Sequence, residues 1–136
     1  MGTQMPPERT LTQLDYLRLT RLASLSRPIV DEAIETLLEN SELVPSKSVP
    51  PTTVTMYTQL LIKDLTSDEP DKVTLCYPDD AEPKQGFISV LAPLGASLLG
   101  LNVGDVARWR TPLGQERMAR VVEILFQPEA SGDYTT

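Results

Sequence analysis

The chain has no histidine, a single cysteine (Cys76) and no long apolar run. Without histidine it lacks the side chain most often used as a general base near neutral pH, which is also the commonest metal ligand. One cysteine cannot form an internal disulfide or a zinc cluster. No stretch approaches the roughly 18 apolar residues of a membrane-spanning helix, and the first residues lack the apolar core of a signal peptide. We therefore expect a cytoplasmic protein in a reducing compartment, with no metal, no cofactor and no membrane partner.

Aromatic residues and positive charge are also scarce. Phe, Trp and Tyr make up 5% of the 136 residues, and 12 Lys and Arg against 19 Asp and Glu give a net charge of −7. A negative chain repels phosphate backbones, and few aromatic rings are available for stacking on bases. A local basic patch stays possible, but we expect no direct binding of nucleic acid. The length suits one compact domain.

The N-terminal third is predicted to form a short helical hairpin. Thr12 followed by Asp15 resembles a capping box, and residues 12–24 contain no glycine or proline. After a break at residues 24–28, apolar side chains recur at helical spacing over residues 29–43. Two helices joined so closely run antiparallel, and each arm would be about 20 to 24 Å long. The predicted division is a hairpin at 1–44, a proline-rich linker at 45–52 and a C-terminal domain at 53–136.

The C-terminal region changes to a period of two, which is typical of β-strands. Val73, Leu75 and Tyr77 alternate with more polar neighbours, as in a sheet with one buried face. The stretch TPLG (111–114) suits a type I turn, and Gly100 is placed as the C′ residue of a helix of one or two turns. These patterns predict an antiparallel α+β domain with strands at Val54–Lys63, Lys72–Tyr77, Phe87–Leu91, Val106–Thr111 and Arg117–Phe126.

Residues 88–114, ISVLAPLGASLLGLNVGDVARWRTPLG, contain the most specific pattern in the chain. They resemble the C-terminal domain of bacterial Gre transcript-cleavage factors. That family has the signature I-S-x-x-S-P-L-x-x-A-L-L-G-x-x-x-G-D, followed by a P-x-G turn. Ala92 replaces the family's serine, and Ser97 stands where its alanine usually is. The matching positions are Ile88, Ser89, Pro93, Leu94, Leu98, Leu99, Gly100, Gly104, Asp105, Pro112 and Gly114.

The brief hairpin, VTMYT (54–58) and FQPEASGDY (126–134) further resemble the regulators of nucleoside diphosphate kinase, which are Gre-like proteins with a truncated coiled coil. The resemblance extends over nearly the whole chain and is strongest over residues 54–134. It implies an α+β fold in which a short N-terminal antiparallel helical hairpin precedes an FKBP-like antiparallel β-sheet domain with one short helix. It also implies a bacterial transcription regulator that binds RNA polymerase.

The resemblance also implies where the polymerase would be contacted. In Gre factors the proline-containing loop of the signature lies against the rim helices of the largest polymerase subunit, at the secondary channel. Carried over, this loop is Ala92, Pro93, Leu94, Gly95 and Ala96, which we name the docking loop. An apolar surface segment is a common place for another protein to bind. The leucines that follow, Leu98, Leu99 and Leu101, either join that contact or close the sheet as core side chains.

The hairpin tip bears on whether such a protein stimulates RNA cleavage. Gre factors carry two acidic residues at the tip of a long coiled coil, which help to hold Mg²⁺ in the polymerase active site. Here the tip is Ser26, Arg27 and Pro28. Asp31 and Glu32 follow in the next helical turn, where the helix dipole alone favours carboxylates. An arm of about 22 Å is far shorter than the Gre coiled coil, so we expect a regulator that occupies the channel entrance without stimulating cleavage.

Two further features have alternative interpretations. The acidic stripe of Asp31, Glu35, Glu39 and Glu42 either faces basic channel walls or is an ordinary solvated helix face. Cys76 has no histidine and no clear cationic partner to activate it as a nucleophile, so we interpret it as a strand residue.

Two other functions also stay open. FKBP-like domains include prolyl isomerases, but an isomerase pocket is lined by several aromatic residues, and fold alone is a weak guide to function. The resemblance also allows an adaptor that contacts nucleoside diphosphate kinase directly. We expect a monomer without enzymatic activity whose partner is RNA polymerase.

Overall fold

A computed structural model describes residues 9–25 and 32–132 of the chain. Three α-helices and seven β-strands account for most of these residues, and there are four short 3₁₀ turns, the last of which follows the final strand. The helices are α1 (Gln13–Leu25), α2 (Glu32–Asn40) and α3 (Pro93–Leu98). The strands are β1 (Thr10–Thr12), β2 (Glu42–Val44), β3 (Gln59–Asp64), β4 (Asp71–Cys76), β5 (Phe87–Ser89), β6 (Val106–Arg110) and β7 (Glu116–Phe126).

The main sheet has five strands in the order β5-β4-β3-β7-β6. Neighbouring strands are antiparallel except β4 and β5, which run parallel with Thr74 opposite Phe87. The prediction of a wholly antiparallel sheet is therefore wrong at this edge. The reason is the connection from Cys76 to Phe87, in which 3₁₀ turns at Pro78–Asp80 and Pro83–Gln85 carry the chain back to the starting end of β4.

The first predicted strand begins later than expected. Residues 54–58 form a tight turn before β3, in which the Thr58 amide donates to the Thr55 carbonyl oxygen at 3.1 Å. Tyr57 in this turn has a left-handed backbone with φ 65°, which a strand cannot contain. Residues 54–64 contain no glycine or proline, so no clear sequence signal marks this turn.

The second predicted helix is shorter than expected at its C-terminal end. It stops at Asn40, and the next residues form β2, which pairs in parallel with β1 so that Thr10 lies opposite Glu42. This two-stranded sheet was not predicted, because strands of three residues are too short to show a period of two. This small sheet connects the start of α1 to the end of α2.

The helices and the main sheet share one apolar core. Leu19 of α1 and Ile34 and Leu37 of α2 are buried in the same cluster as the inner face of the sheet. The sheet is curled, and the register between β3 and β7 shifts at two points, between Gln59 and Leu60 and between Leu61 and Ile62. The architecture is α+β, as predicted. No helix in the described part of the chain is long and apolar enough to cross a bilayer.

Candidate functional site

The segment between β5 and β6, residues 90–105, contains the predicted docking loop and helix α3. Pro93 is the first residue of α3, where its missing N–H leaves no helical hydrogen bond unmade. The Ala96 amide donates to the Ala92 carbonyl oxygen at 2.9 Å and closes the first turn. The Ser97 hydroxyl donates to the Leu94 carbonyl oxygen at 2.6 Å. These local bonds give the loop one defined shape.

Gly95 allows α3 to pack directly against the end of β5. A Cβ atom at this position would lie 2.0 Å from the carbonyl oxygen of Ser89 and 3.0 Å from the Cα of Val90. Both obstacles are backbone atoms, which cannot move aside as a flexible side chain could. The glycine of the sequence GAS is therefore required by a close backbone approach.

Gly100 and Arg9 join α3 to the N-terminal segment. Gly100 has φ 86° and lies just after the helix, as predicted for a C′ residue. Its carbonyl oxygen accepts from the Thr10 amide at 3.0 Å. The Arg9 guanidinium donates to the carbonyl oxygens of Ala96 at 2.7 Å and Leu99 at 3.4 Å, and burial lowers the Arg9 pKa. The carbonyl groups at the end of α3 that have no partner within the helix therefore accept hydrogen bonds from a residue far away in sequence.

The glycine–aspartate pair of the signature forms the turn into β6. The Asp105 carboxylate accepts from the Asn102 amide at 2.9 Å, while the Asp105 amide donates to the Asn102 carbonyl oxygen at 3.0 Å. Gly104 has φ 97° and donates its amide to the Val121 carbonyl oxygen. The predicted tight turn is confirmed, and Asp105 has a structural role in it.

Only part of the docking loop reaches the surface. Pro93 is exposed, Ala92 and Leu94 are half-buried, and Gly95 and Ala96 are buried. The three leucines that follow belong to the core, since Leu98, Leu99 and Leu101 are no more than 1% exposed. Of the two interpretations of these leucines, core packing is therefore correct. The surface that a partner could touch is the edge Ala92–Leu94.

Most of the predicted hairpin tip lies outside the described residues. This applies to Ser26, Arg27, Pro28 and Asp31, while Glu32 is the first residue of α2. On the acidic stripe, Glu35 and Glu39 are exposed along α2. Glu42 lies in β2, so it does not continue the helical face.

A buried polar cluster between α1 and the sheet was not predicted. Thr12 caps α1 as predicted, because its hydroxyl oxygen accepts from the Asp15 amide at 3.0 Å. The Asp15 carboxylate instead accepts from the Met56 amide at 3.2 Å, and Asp15 is 2% exposed. Burial, opposed by that hydrogen bond, raises the Asp15 pKa to about 6. Glu129, whose carboxylate accepts from the Thr55 hydroxyl at 2.7 Å, adds to the rise.

Tyr57 and Tyr77 extend this cluster. Their rings meet at a tilted angle with centroids 5.8 Å apart. The Tyr57 hydroxyl donates to the Asp80 carboxylate, and burial together with that bond raises the Tyr57 pKa to about 12. Burial and the Asp15 charge raise the Tyr77 pKa. The sequence signal available for this cluster was only the helix cap, which does not show what the Asp15 carboxylate contacts.

One further sequence interpretation concerns a single residue, Cys76. Cys76 is the last residue of β4 and is buried, as its interpretation as a strand residue requires. Trp109 lies on β6 and packs partly buried against the core. Within residues 9–25 and 32–132, no three potential metal-binding side chains lie close enough together to hold a metal ion.

Comparison with known proteins finds relatives over nearly the whole chain. A family model described as "Transcription elongation factor, GreA/GreB, C-term" matches residues 49–126. The regulator of nucleoside diphosphate kinase from Escherichia coli (strain K12) is 37% identical over 132 residues, which is 94% of this chain and 96% of that protein. A transcription elongation factor GreA/GreB structure from Nitrosomonas europaea matches with TM-score 0.72 and 33% identity, covering 88% of this chain and 99% of that chain.

The likeness to GreA proteins is shorter. The GreA of Chloroherpeton thalassium is 33% identical over 81 residues, which is 60% of this chain and 51% of that protein. The chain therefore spans about half the length of this GreA, whereas it spans nearly all of the Escherichia coli regulator.

Proposed function

The chain belongs to the GreA/GreB family of transcription elongation factors, and we propose that it is a transcription regulator that binds RNA polymerase at the rim of the secondary channel. Contact is made through the exposed edge of the docking loop, Ala92–Leu94. The protein does not stimulate transcript cleavage and competes for the channel entrance with longer Gre-type factors.

The observation that carries this proposal is how the docking-loop edge is held. Pro93 is exposed, while the next residues of α3 are locked to the backbone of β5 by the contact at Gly95. Arg9 and Gly100 hold the other end of the helix. An edge that is already fixed loses little conformational freedom on binding, and this favours affinity.

The contact is tested by Pro93→Asp in a binding assay with purified RNA polymerase. Aspartate is tolerated at the first position of a helix, where the dipole favours a negative charge, so the fold should survive. A buried charge at the interface should weaken binding about tenfold or more. Pro112→Asp, in the exposed turn between β6 and β7, is the matched control and should bind like the unmodified protein. Equal binding by both variants would rule out the docking-loop edge as the contact.

The absence of cleavage stimulation is supported by the size and packing of the helices. Within the described residues, α1 has 13 residues and α2 has nine, so the longer of these segments spans about 20 Å. Leu19, Ile34 and Leu37 are buried in the shared core, so this part of the helices is held against the domain. Backtracked elongation complexes incubated with the protein should keep their full-length transcripts, while a full-length cleavage factor shortens them. Adding increasing amounts of the protein should then slow the cleavage factor.

A second candidate is direct contact with nucleoside diphosphate kinase, and the name of the Escherichia coli relative favours it. The two functions predict different partners for the same purified chain. Binding of the purified kinase, unaffected by Pro93→Asp, would favour the second candidate.

The proposal includes an FKBP-like fold for the sheet domain. Because FKBP-like domains include prolyl isomerases, isomerase activity is the third candidate function. A proline-peptide isomerisation assay is expected to show no acceleration. Acceleration by the purified protein would contradict the assignment as a non-enzymatic regulator.

A further inference from the structure

We propose that the outer face of the five-stranded sheet binds single-stranded RNA through two exposed phenylalanine rings and the lysine side chains beside them. This site is separate from the docking loop and does not depend on the function proposed above. The argument begins with the strand register, which decides which side chains share a face.

One row of side chains crosses four strands on the outer face. Phe126 of β7 lies opposite Gln59 of β3, which lies opposite Thr74 of β4, which lies opposite Phe87 of β5. The two rings are the only phenylalanines in the chain. They are 47% and 37% exposed, although phenylalanine is normally a core residue. Three strand spacings separate them, which is about 14 Å.

The next two rows contain charged side chains, and the second of them is positive. Leu61 follows Gln59 on the same face and lies opposite Lys72 on one side and Glu123 on the other. Lys63 follows in turn and lies opposite Arg120 of β7. Two like charges directly opposite each other destabilise a sheet. A bound anion would remove that cost.

The whole outer face is positive although the chain is negative. Its exposed charged side chains are Lys63, Lys72, Arg108, Arg110 and Arg120 against Glu116 and Glu123, so five minus two gives +3. The net charge of the chain is −7. The sequence argument against nucleic acid rested on overall charge and on the lack of a basic, aromatic platform. The strand register brings such a platform together from all five strands of the sheet, so that argument does not apply to this face.

Single-stranded RNA fits this arrangement better than the other anionic partners. Exposed rings on an open sheet stack bases regardless of sequence, and lysines beside them neutralise the backbone. Gln59 and Thr74, between the rings, offer hydrogen bonds to base edges and to the 2′-hydroxyl, which DNA lacks. An acidic protein segment would use the charges but would leave the aligned rings and the polar side chains between them without a specific role.

The test is fluorescence anisotropy of the full chain with a labelled oligouridine of about 12 nucleotides, a length within the site sizes of such surfaces. Binding should be measurable at about 50 mM salt and should weaken steeply as salt rises. Phe126→Leu and Phe87→Leu keep an apolar side chain but remove the ring, and each should weaken binding about tenfold. A melting curve for each variant shows that the fold is retained.

Charge is tested with a matched pair. Lys63→Glu should weaken binding and lower the salt dependence of the affinity, while Lys47→Glu, an exposed lysine outside the sheet, should have a smaller effect. Amide signals of Gln59 and Thr74 in a nuclear magnetic resonance titration should shift on adding the oligouridine.

Four outcomes would overturn the proposal. These are no binding at low salt, unchanged binding by both leucine variants, equal weakening by the two lysine variants, and equal affinity for oligothymidine. If a glutamate-rich peptide shifted the same amide signals while oligouridine did not, the face would belong to a protein partner instead.

Discussion

At the scale of single residues, Asp15 serves two elements at once. Its amide is bonded to the Thr12 hydroxyl at the start of α1, and its carboxylate is bonded to the Met56 amide before β3. The first bond follows from sequence, since a threonine three residues earlier is a recognised cap. The second joins residues 41 positions apart, and it holds the carboxyl group in a position where Asp15 is only 2% exposed. A carboxylate in such a place favours its neutral form.

Asp15 should make stability depend on pH. Its pKa rises from 3.8 in the unfolded chain to about 6 in the folded protein, so the folded state binds the proton more tightly. The contribution of Asp15 to the free energy of unfolding is complete below about pH 4, and it is lost as the pH rises through about 6. The Asp15→Asn variant keeps an acceptor for the Met56 amide and carries no charge. Its stability relative to the unmodified protein should therefore increase by about 1 kcal/mol between about pH 5 and pH 7.

Chemical denaturation at a series of pH values measures this difference. Asp79→Asn, at an exposed carboxyl group, is the control for loss of one negative charge. The titratable groups that interact with the Asp15 carboxyl group are Glu129, Arg18 and Tyr77, and they are unchanged in the variant. A difference between Asp15→Asn and the unmodified protein that stays constant with pH would contradict the raised pKa.

At the scale of elements, the path of the chain from β5 through α3 to β6 is set by backbone contacts. Helix α3 is only six residues long, too short to be stable by itself. Its N-terminal end is packed against Ser89 at Gly95, and its C-terminal end is held by Arg9. The signature residues of this segment therefore have two kinds of role. Gly95 and Gly100 make the fold possible, and Pro93 is left at the surface.

Replacing Gly95 by alanine should destabilise the protein strongly. The added Cβ would lie 2.0 Å from the Ser89 carbonyl oxygen, so α3 must move away from β5. We expect a loss of about 3 kcal/mol in unfolding free energy, at the upper end of ordinary single substitutions. Gly114→Ala is the control, since Gly114 has φ 85° and nothing within 4 Å, and it should cost about 1 kcal/mol from backbone strain alone. Similar midpoints for the two variants in thermal unfolding would contradict the close approach.

At the scale of the whole molecule, the two N-terminal helices and the sheet form one core. Leu19 and Leu75 are both fully buried and belong to the same cluster, although one is in α1 and the other in β4. Elements that share one core are expected to unfold together.

The shared core predicts a single unfolding transition. Far-ultraviolet circular dichroism reports on the helices, and fluorescence of Trp109 reports on the sheet, so the two signals should change at the same temperature. Leu19→Ala should lower both midpoints together, with a loss of about 3 kcal/mol from the cavity it leaves. Leu17→Ala, at a side chain 65% exposed on the same helix, is the control and should change little. A helical signal lost well before the fluorescence change would show that the N-terminal helices form an independent unit.

The sequence by itself determined the features that depend on near neighbours along the chain. The α+β class, the turn at Thr111–Gly114, the C′ glycine at Gly100 and the cap at Thr12 all follow from local backbone chemistry. These predictions are confirmed because the hydrogen bonds concerned close within a few residues. The signature spacing likewise located the loop that carries the proposed polymerase contact.

Only the tertiary structure decided which of those residues are buried and which share a surface. The parallel pairing of β4 with β5, the burial of Gly95 and Ala96, and the burial of Asp15 depend on segments far apart in sequence. The same is true of Phe87 and Phe126, which lie 39 positions apart in the chain. The strand register places them at the two ends of one row of side chains. Periodicity records which face of a strand is apolar, whereas pairing between strands decides which side chains become neighbours.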